Sequence, residues 1–168
     1  MGNRTVCPST ERDNMHIGID PGLTGAIAKV QGGNIEVWDM PTLELRKKRF
    51  VNAPMLADLI SSIRTPECEV ILERVSARPG QGVTSMFSFG TSCGIIQGII
   101  AALHLPLTLV SPQEWRKKMG VPKGKDGSRQ RVLELRPDLA SRFSRKKDHG
   151  RADAVLMALY GEKPDSAG

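Results

Sequence analysis

The stretch MHIGIDPGLTGAIAKVQGGNIEVWDM, Met15 to Met40, decides the fold. Met15 to Asp20 is a short apolar run that stops at Pro21-Gly22, the pattern of a strand ended by a turn. Leu23 to Val30 and Asn34 to Met40 read as two more strands, and Gln31-Gly32-Gly33 between them suits a tight hairpin. Three consecutive strands linked this closely pair antiparallel. Beyond Met40 the period changes. Pro54 to Ile63 places Met55, Leu56, Leu59, Ile60 and Ile63 at helical spacing, and the basic cluster Arg46-Lys47-Lys48-Arg49 lies in the connection before it. Glu69 to Val75 reads as a strand with a buried middle, Ser76 to Val83 as a loop, Ser85 to Leu103 as a long helix and Leu107 to Val110 as a short buried strand. Ser111 and Pro112 open a helix as N-cap and first helical residue, and helices over Ser128–Leu135 and Gly150–Tyr160 follow. The order β-β-β-α-β-α-β-α-α-α predicts an α/β domain around a mixed five-stranded sheet, three antiparallel strands and then two parallel ones, flanked by helices.

The chain's 168 residues suffice for one such domain with a real core. Residues 1–14 read as a disordered lead-in, 15–161 as the domain and 162–168 as a flexible tail. Cys7, Cys68 and Cys93 are odd in number and lack metal-ligand spacing, which excludes a disulfide framework and a zinc site and fits a reducing cytoplasm. The longest apolar run, Ile95 to Val110, is broken by Gln97, Gly98, His104 and Pro106, so no membrane span is expected. The net charge of +6 is unevenly placed. Residues 1–110 hold 10 basic and 10 acidic side chains, whereas residues 111–151 hold 13 basic and 5 acidic. A surplus confined to one segment points to a polyanionic partner, nucleic acid before an anionic membrane.

Three acids stand where apolar residues are expected. Asp20 closes the first strand, Glu73 follows Val70-Ile71-Leu72, and Asp153 sits among Ala152, Ala154, Val155, Leu156, Met157 and Ala158. Each has a plain alternative: a turn-former before Pro-Gly, a strand-edge ion pair with Arg74, a favourable charge at a helix N-terminus. Together they describe carboxylates converging at the carboxyl edge of a sheet, where mutual repulsion is relieved by a divalent cation. Oxygen-only ligands favour Mg²⁺ or Mn²⁺, and two such ions suit phosphodiester hydrolysis.

Gly18-Ile19-Asp20-Pro21-Gly22-Leu23-Thr24-Gly25, Ile71-Leu72-Glu73-Arg74-Val75 and Asp148-His149-Gly150-Arg151-Ala152-Asp153-Ala154 resemble, in order and spacing, the three acidic motifs of RuvC-type Holliday junction resolvases, most of all the compact phage and prophage members. The resemblance spans about residues 15 to 161. It implies an RNase H-like fold, a homodimer, Mg²⁺ with two ions per site, and paired nicking of a four-way DNA junction. By motif position Asp20, Glu73 and Asp153 are the metal ligands and catalytic carboxylates. The cellular family carries an Asp or His three residues before the last Asp, where this chain has Gly150. His149 lies four residues before Asp153, on the same helix face, and is favoured as ligand or general base. Asp148 lies about 140° round an ideal helix and is the alternative if the helix begins after Gly150. The family also places an aromatic residue shortly after the Glu; here Ser76 stands near that place, and the nearest aromatics, Phe87 and Phe89, either stack on DNA or pack in the core.

Gly90, Gly94 and Gly98 form a stripe without bulk on the long helix, for close packing on the sheet or for a dimer seam. The expected DNA surface consists of Arg78, Phe87, Arg116, Lys117, Lys118, Lys123, Lys125, Arg145, Lys146, Lys147 and Arg151, through phosphate contacts that position without reading sequence. Other readings of the same residues are a non-catalytic junction-binding module, an RNase H-like nuclease on other branched DNA or on RNA, and an actin-like or sugar-kinase phosphate grip at DPGLTG. The last requires two domains around a nucleotide and a longer chain.

Overall fold

The computed structural model of the chain describes residues 14–162 apart from Val75, residues 77–79 and Gln81. The three opening strands form as the sequence predicts: β1 (His16–Ile19), β2 (Ala26–Gln31) and β3 (Asn34–Asp39), each antiparallel to the next. Gly32 and Gly33 both take positive φ, 55° and 77°, the conformation that a two-residue hairpin of matching twist requires. A second hairpin then follows, β4 (Thr42–Leu45) and β5 (Lys48–Val51), forming a separate two-stranded sheet. The sequence reading had only a connection there. The turn carries Arg46-Lys47 instead of Asn-Gly, so it lacks the usual hairpin signal.

Helix α1 (Ala53–Ile63) starts at Asn52, whose Oδ1 accepts from the Met55 amide at 3.2 Å. Next come β6 (Glu69–Glu73), α2 (Val83–Ala102), β7 (Leu107–Val110), α3 (Pro112–Lys118), α4 (Gly127–Leu135) and α5 (His149–Glu162), with 3₁₀ segments at Pro137–Phe143 and Lys146–Asp148. Ser111 caps α3, accepting from the Glu114 amide at 3.2 Å. The five-stranded sheet runs β3-β2-β1-β6-β7, with β1, β6 and β7 mutually parallel.

Strand alternation divides the core between the two faces. Ile17, Ile19, Val70 and Leu72 point toward α1 and α2, with Leu56, Ile60, Ile96 and Ile100. Ile71 and Val110 point the other way, toward Trp115, Val132 and the buried run Ala154 to Ala158 of α5. Gly18 lies on that second face too; a Cβ there would stand 2.5 Å from the Ala158 amide nitrogen and inside contact distance of the Ala154 carbonyl oxygen. Glycine is what lets α5 lie directly on β1.

Helix α2 departs from expectation. Ser92, Cys93, Ile96 and Ile100 are its buried residues. A Cβ on Gly90, Gly94 or Gly98 would meet nothing within 4 Å, so the stripe does not pack on the sheet. Phe87 is 78% exposed, which removes it from the core, and Phe89 is half-buried. By length and composition α2 is also apolar enough to cross a bilayer, a property hidden when the apolar run is started at Ile95.

Candidate active site

Register brings the carboxylates together. Ile19 pairs with Leu72 across parallel strands, so Asp20 and Glu73 are the next residues on adjacent strands at their carboxyl ends. Gly18 and Ile71 face α5, and strand alternation gives Asp20 and Glu73, two residues on, the same side. Helix α5 brings Asp153 to that edge.

Asp20 also serves the local turn: its Oδ1 accepts from the Gly22 amide at 3.2 Å. The turn-former and active-site readings of this residue are therefore compatible. Burial pushes its carboxyl from 3.8 up to about 7; the Gly22 hydrogen bond opposes this, and the neighbouring Asp153 and Glu73 charges add to it. Burial likewise raises Asp153, against the positive charges of Arg116 and His149. Arg116 Nη1 stands 3.6 Å from Asp153 Oδ1, an ion-pair distance, yet that buried oxygen makes no hydrogen bond, nor does the buried Ser128 Oγ. Glu73 Oε1 accepts from the Trp115 indole at 3.0 Å. Trp115 is fully buried, and its N–H orients the carboxylate. The Cys93 thiol on α2 is pushed up to about 11 by burial, and then by the Glu73 and Asp20 charges.

Helix α5 begins at His149, so His149 and Asp153 share one helical face. The His149 ring lies near enough to Asp20 and Asp153 to lower both, and its Nδ1 is 3.4 Å from the Lys146 carbonyl oxygen. Asp148 is turned elsewhere. It is buried and accepts from the Arg145 guanidinium at 2.8 Å and the Arg145 amide at 3.0 Å, bonds that hold it below the usual range despite burial. The absence of an acid at position 150 has a steric reason. A Cβ on Gly150 would stand 2.7 Å from the Thr24 carbonyl oxygen and 3.0 Å from Asp20 Oδ2, so a side chain there would displace the Asp20 loop.

The donors suit a hard divalent cation in kind, being oxygens with one buried and unbonded at Asp153. Among the described residues, however, no three of His, Cys, Asp and Glu are gathered tightly enough to enclose an ion as they stand. The side chains would have to close around it.

The basic residues divide into two groups. Arg116 joins the carboxylates and lies 5.2 Å from the Trp115 ring; Arg145 binds Asp148; Arg151 grips Asp39 through two bonds of 2.6 and 2.7 Å; Lys118 lies 4.3 Å from the Tyr160 ring. Lys117, Lys123, Lys125, Lys146 and Lys147 are exposed. Arg78 lies outside the described residues. Sequence reasoning missed Trp115 and Ser128 as site residues, and also Arg49, whose Nη2 donates to the Leu23 carbonyl of the turn after Asp20 at 3.2 Å.

No protein-family model matches the chain, and no curated protein sequence matches it. Solved structures do. Thermus thermophilus RuvC in complex with Holliday junction substrate superposes with a TM-score of 0.55 at 13% identity, covering 87% of this chain and 91% of that one. A second Thermus thermophilus RuvC structure gives 0.52 at 16%, covering 87% and 92%. The chain thus has the RuvC-like, RNase H-like fold. At these identities the likeness is one of fold, and the chemistry has to be argued from the site.

Proposed function

We propose that the chain is a divalent-metal-dependent DNA endonuclease that resolves four-way and related branched junctions by paired nicks, acting as a homodimer in the cytoplasm. The observation that carries this is the meeting of Asp20, Glu73 and Asp153 at the carboxyl edge of parallel strands β1 and β6, on a fold shared with a protein solved in complex with Holliday junction substrate. Asp20 and Asp153 would hold Mg²⁺, or Mn²⁺ in its place, with Glu73 completing the shell for up to two ions. Such ions would activate a water and stabilise the leaving oxygen. Trp115 fixes the Glu73 carboxylate, and Arg116 keeps a positive charge beside Asp153 for the incoming phosphate. His149, rather than Asp148, is the fourth residue: in the tautomer whose Nδ1–H faces the Lys146 carbonyl, its Nε2 would take the proton of the attacking water. Lys117, Lys123, Lys125, Lys146 and Lys147 would grip flanking phosphates, and the exposed ring of Phe87 would stack on an unpaired base. The open face at Gly90, Gly94 and Gly98 would seat a second copy of α2. The compact phage-type form is an assignment from the acidic motifs, not from the structural likeness.

An end-labelled synthetic four-way junction, incubated with the protein with and without Mg²⁺, tests the reading. Symmetric nicks that require Mg²⁺ are expected, and Asp20→Asn should bind the junction yet cleave it about a thousandfold more slowly or worse, the loss of several kcal/mol of charge stabilisation. Uncut junction, or equal cutting of linear duplex, overturns it.

A further inference from the structure

We propose that the β4–β5 hairpin is a DNA-gripping finger that holds a single strand between its basic ribbon and the N-terminal half of α2. The ligand class rests on the nuclease reading above; the placement rests on the hairpin itself. The hairpin stands off the main sheet as a two-stranded ribbon, marginal in isolation. It is tied to the catalytic turn by Arg49, whose Nη2 donates to the Leu23 carbonyl and, at 3.0 Å, to Thr42 Oγ1. A strand held along it would therefore lead directly to Asp20.

The tip is strained in an informative way. Arg46 and Lys47 both have positive φ, 50° and 62°, at the two positions where hairpins of this kind carry Asn-Gly. Two long cations occupy a conformation disfavoured for them, and with Lys48 and Arg49 they place four positive charges on one ribbon, against the single acid Glu44 opposite Arg49. Local stability does not account for that choice; a polyanion does.

Between ribbon and helix lies a cleft of about 660 Å³, floored by Leu23 and Thr24 and walled by Lys48, Arg49, Phe50 and Phe87. Phe50 is 39% exposed and Phe87 78%. Cations and exposed aromatic rings lining one cleft are what a single nucleic-acid strand needs, for phosphates and bases respectively. The cleft holds a nucleotide or two, not a duplex.

The test exchanges the tip for the residues its backbone prefers, Arg46→Asn with Lys47→Gly, in the full chain. Thermal melting should rise by roughly 2–6 °C as the strain is relieved, showing that the hairpin is intact. Binding to a fluorescent four-way junction without divalent metal should weaken roughly tenfold, and the log–log salt slope should fall by about 2. Phe50→Leu, which keeps the cleft apolar, should weaken the signal change of a fluorescent adenine analogue at the crossover, because the Phe87 ring is then left to stack alone; an unchanged signal overturns the part given to Phe50. A tip variant with wild-type affinity and salt slope overturns the finger alone. Wild-type protein that binds junction and linear duplex alike overturns the junction reading, while the slope comparison still decides the finger. Wild-type protein that binds neither overturns both. A tip variant that alters oligomeric state instead of DNA binding marks this face as a protein contact, which also overturns the proposal.

Discussion

Helices α5 and α2 look alike in the sequence and meet opposite surroundings. Both are apolar along most of their length and rich in Ala or Gly. The small residues of α5 are used within the chain: Ala154 and Ala158 lie against Gly18 of β1, and everything from Ala154 to Ala158 is buried. Those of α2 are not. Gly90, Gly94 and Gly98 look onto open space, while Ser92, Cys93, Ile96 and Ile100 make the attachment. A small residue permits close approach and does not say what approaches. On α5 the approach is the sheet's own, and it fixes Asp153 at the strand ends. On α2 the described residues of the chain leave that permission unused.

If the α5 side is as closed as its packing shows, the acids caught there must register it, and this is the largest expected effect. Asp20 is near 3.8 in the unfolded chain and about 7 in the folded one. Below about pH 4 both states hold the proton and nothing is lost. As pH rises from there to 7 the unfolded state releases it first, so stability falls, by at most about 4 kcal/mol, and then levels off. Asp39, Asp138 and Asp148 are shifted downward and give the opposite slope, so the comparison to make is wild type against Asp20→Asn. Urea unfolding at a series of pH values should show the variant gaining on the wild type between pH 4 and 7, and Mg²⁺ should raise the wild-type midpoint most above pH 7. Parallel pH profiles for the two proteins would mean that Asp20 is not held as the packing requires. Next in size is Gly18→Ala. Its methyl meets backbone atoms of α5, which cannot rotate away, so α5 must lift from β1. About 3 kcal/mol of stability should be lost in a denaturant titration, with cleavage impaired as Asp153 moves.

Most of the candidate site was legible because its residues break patterns. Asp20, Glu73 and Asp153 each interrupt an apolar run, and the strand order that joins them follows from two short links and two helical crossovers. Trp115 was less visible: it opens a basic cluster, which draws attention to the charges, although a Trp at a buried helix position has an N–H that must find an acceptor. The alternation in Thr42–Val51 fits a hairpin, but Arg46-Lys47 conceals the turn. Orientation on α2 was not legible at all. A helix apolar on every side has no preferred face in its sequence, so Phe87 and the glycine row were as consistent with the core as with the surface.

The smallest expected effect separates the two helices most sharply. Gly94→Ala places a methyl where the single chain has nothing within 4 Å. In a helix interior that exchange reduces the freedom of the unfolded chain, so the monomer should gain up to about 1 kcal/mol. The sign is opposite to Gly18→Ala, for the same added atom on the same fold. Between two copies of α2 packed glycine to glycine, the methyl becomes an obstruction. Sedimentation at micromolar concentration should then show the variant dissociating where the wild type is paired, even as its denaturation midpoint, read at concentrations too low for pairing, moves upward. A variant that is stabilised and still associates like the wild type would place the partner elsewhere on the molecule and leave the open row of α2 without one.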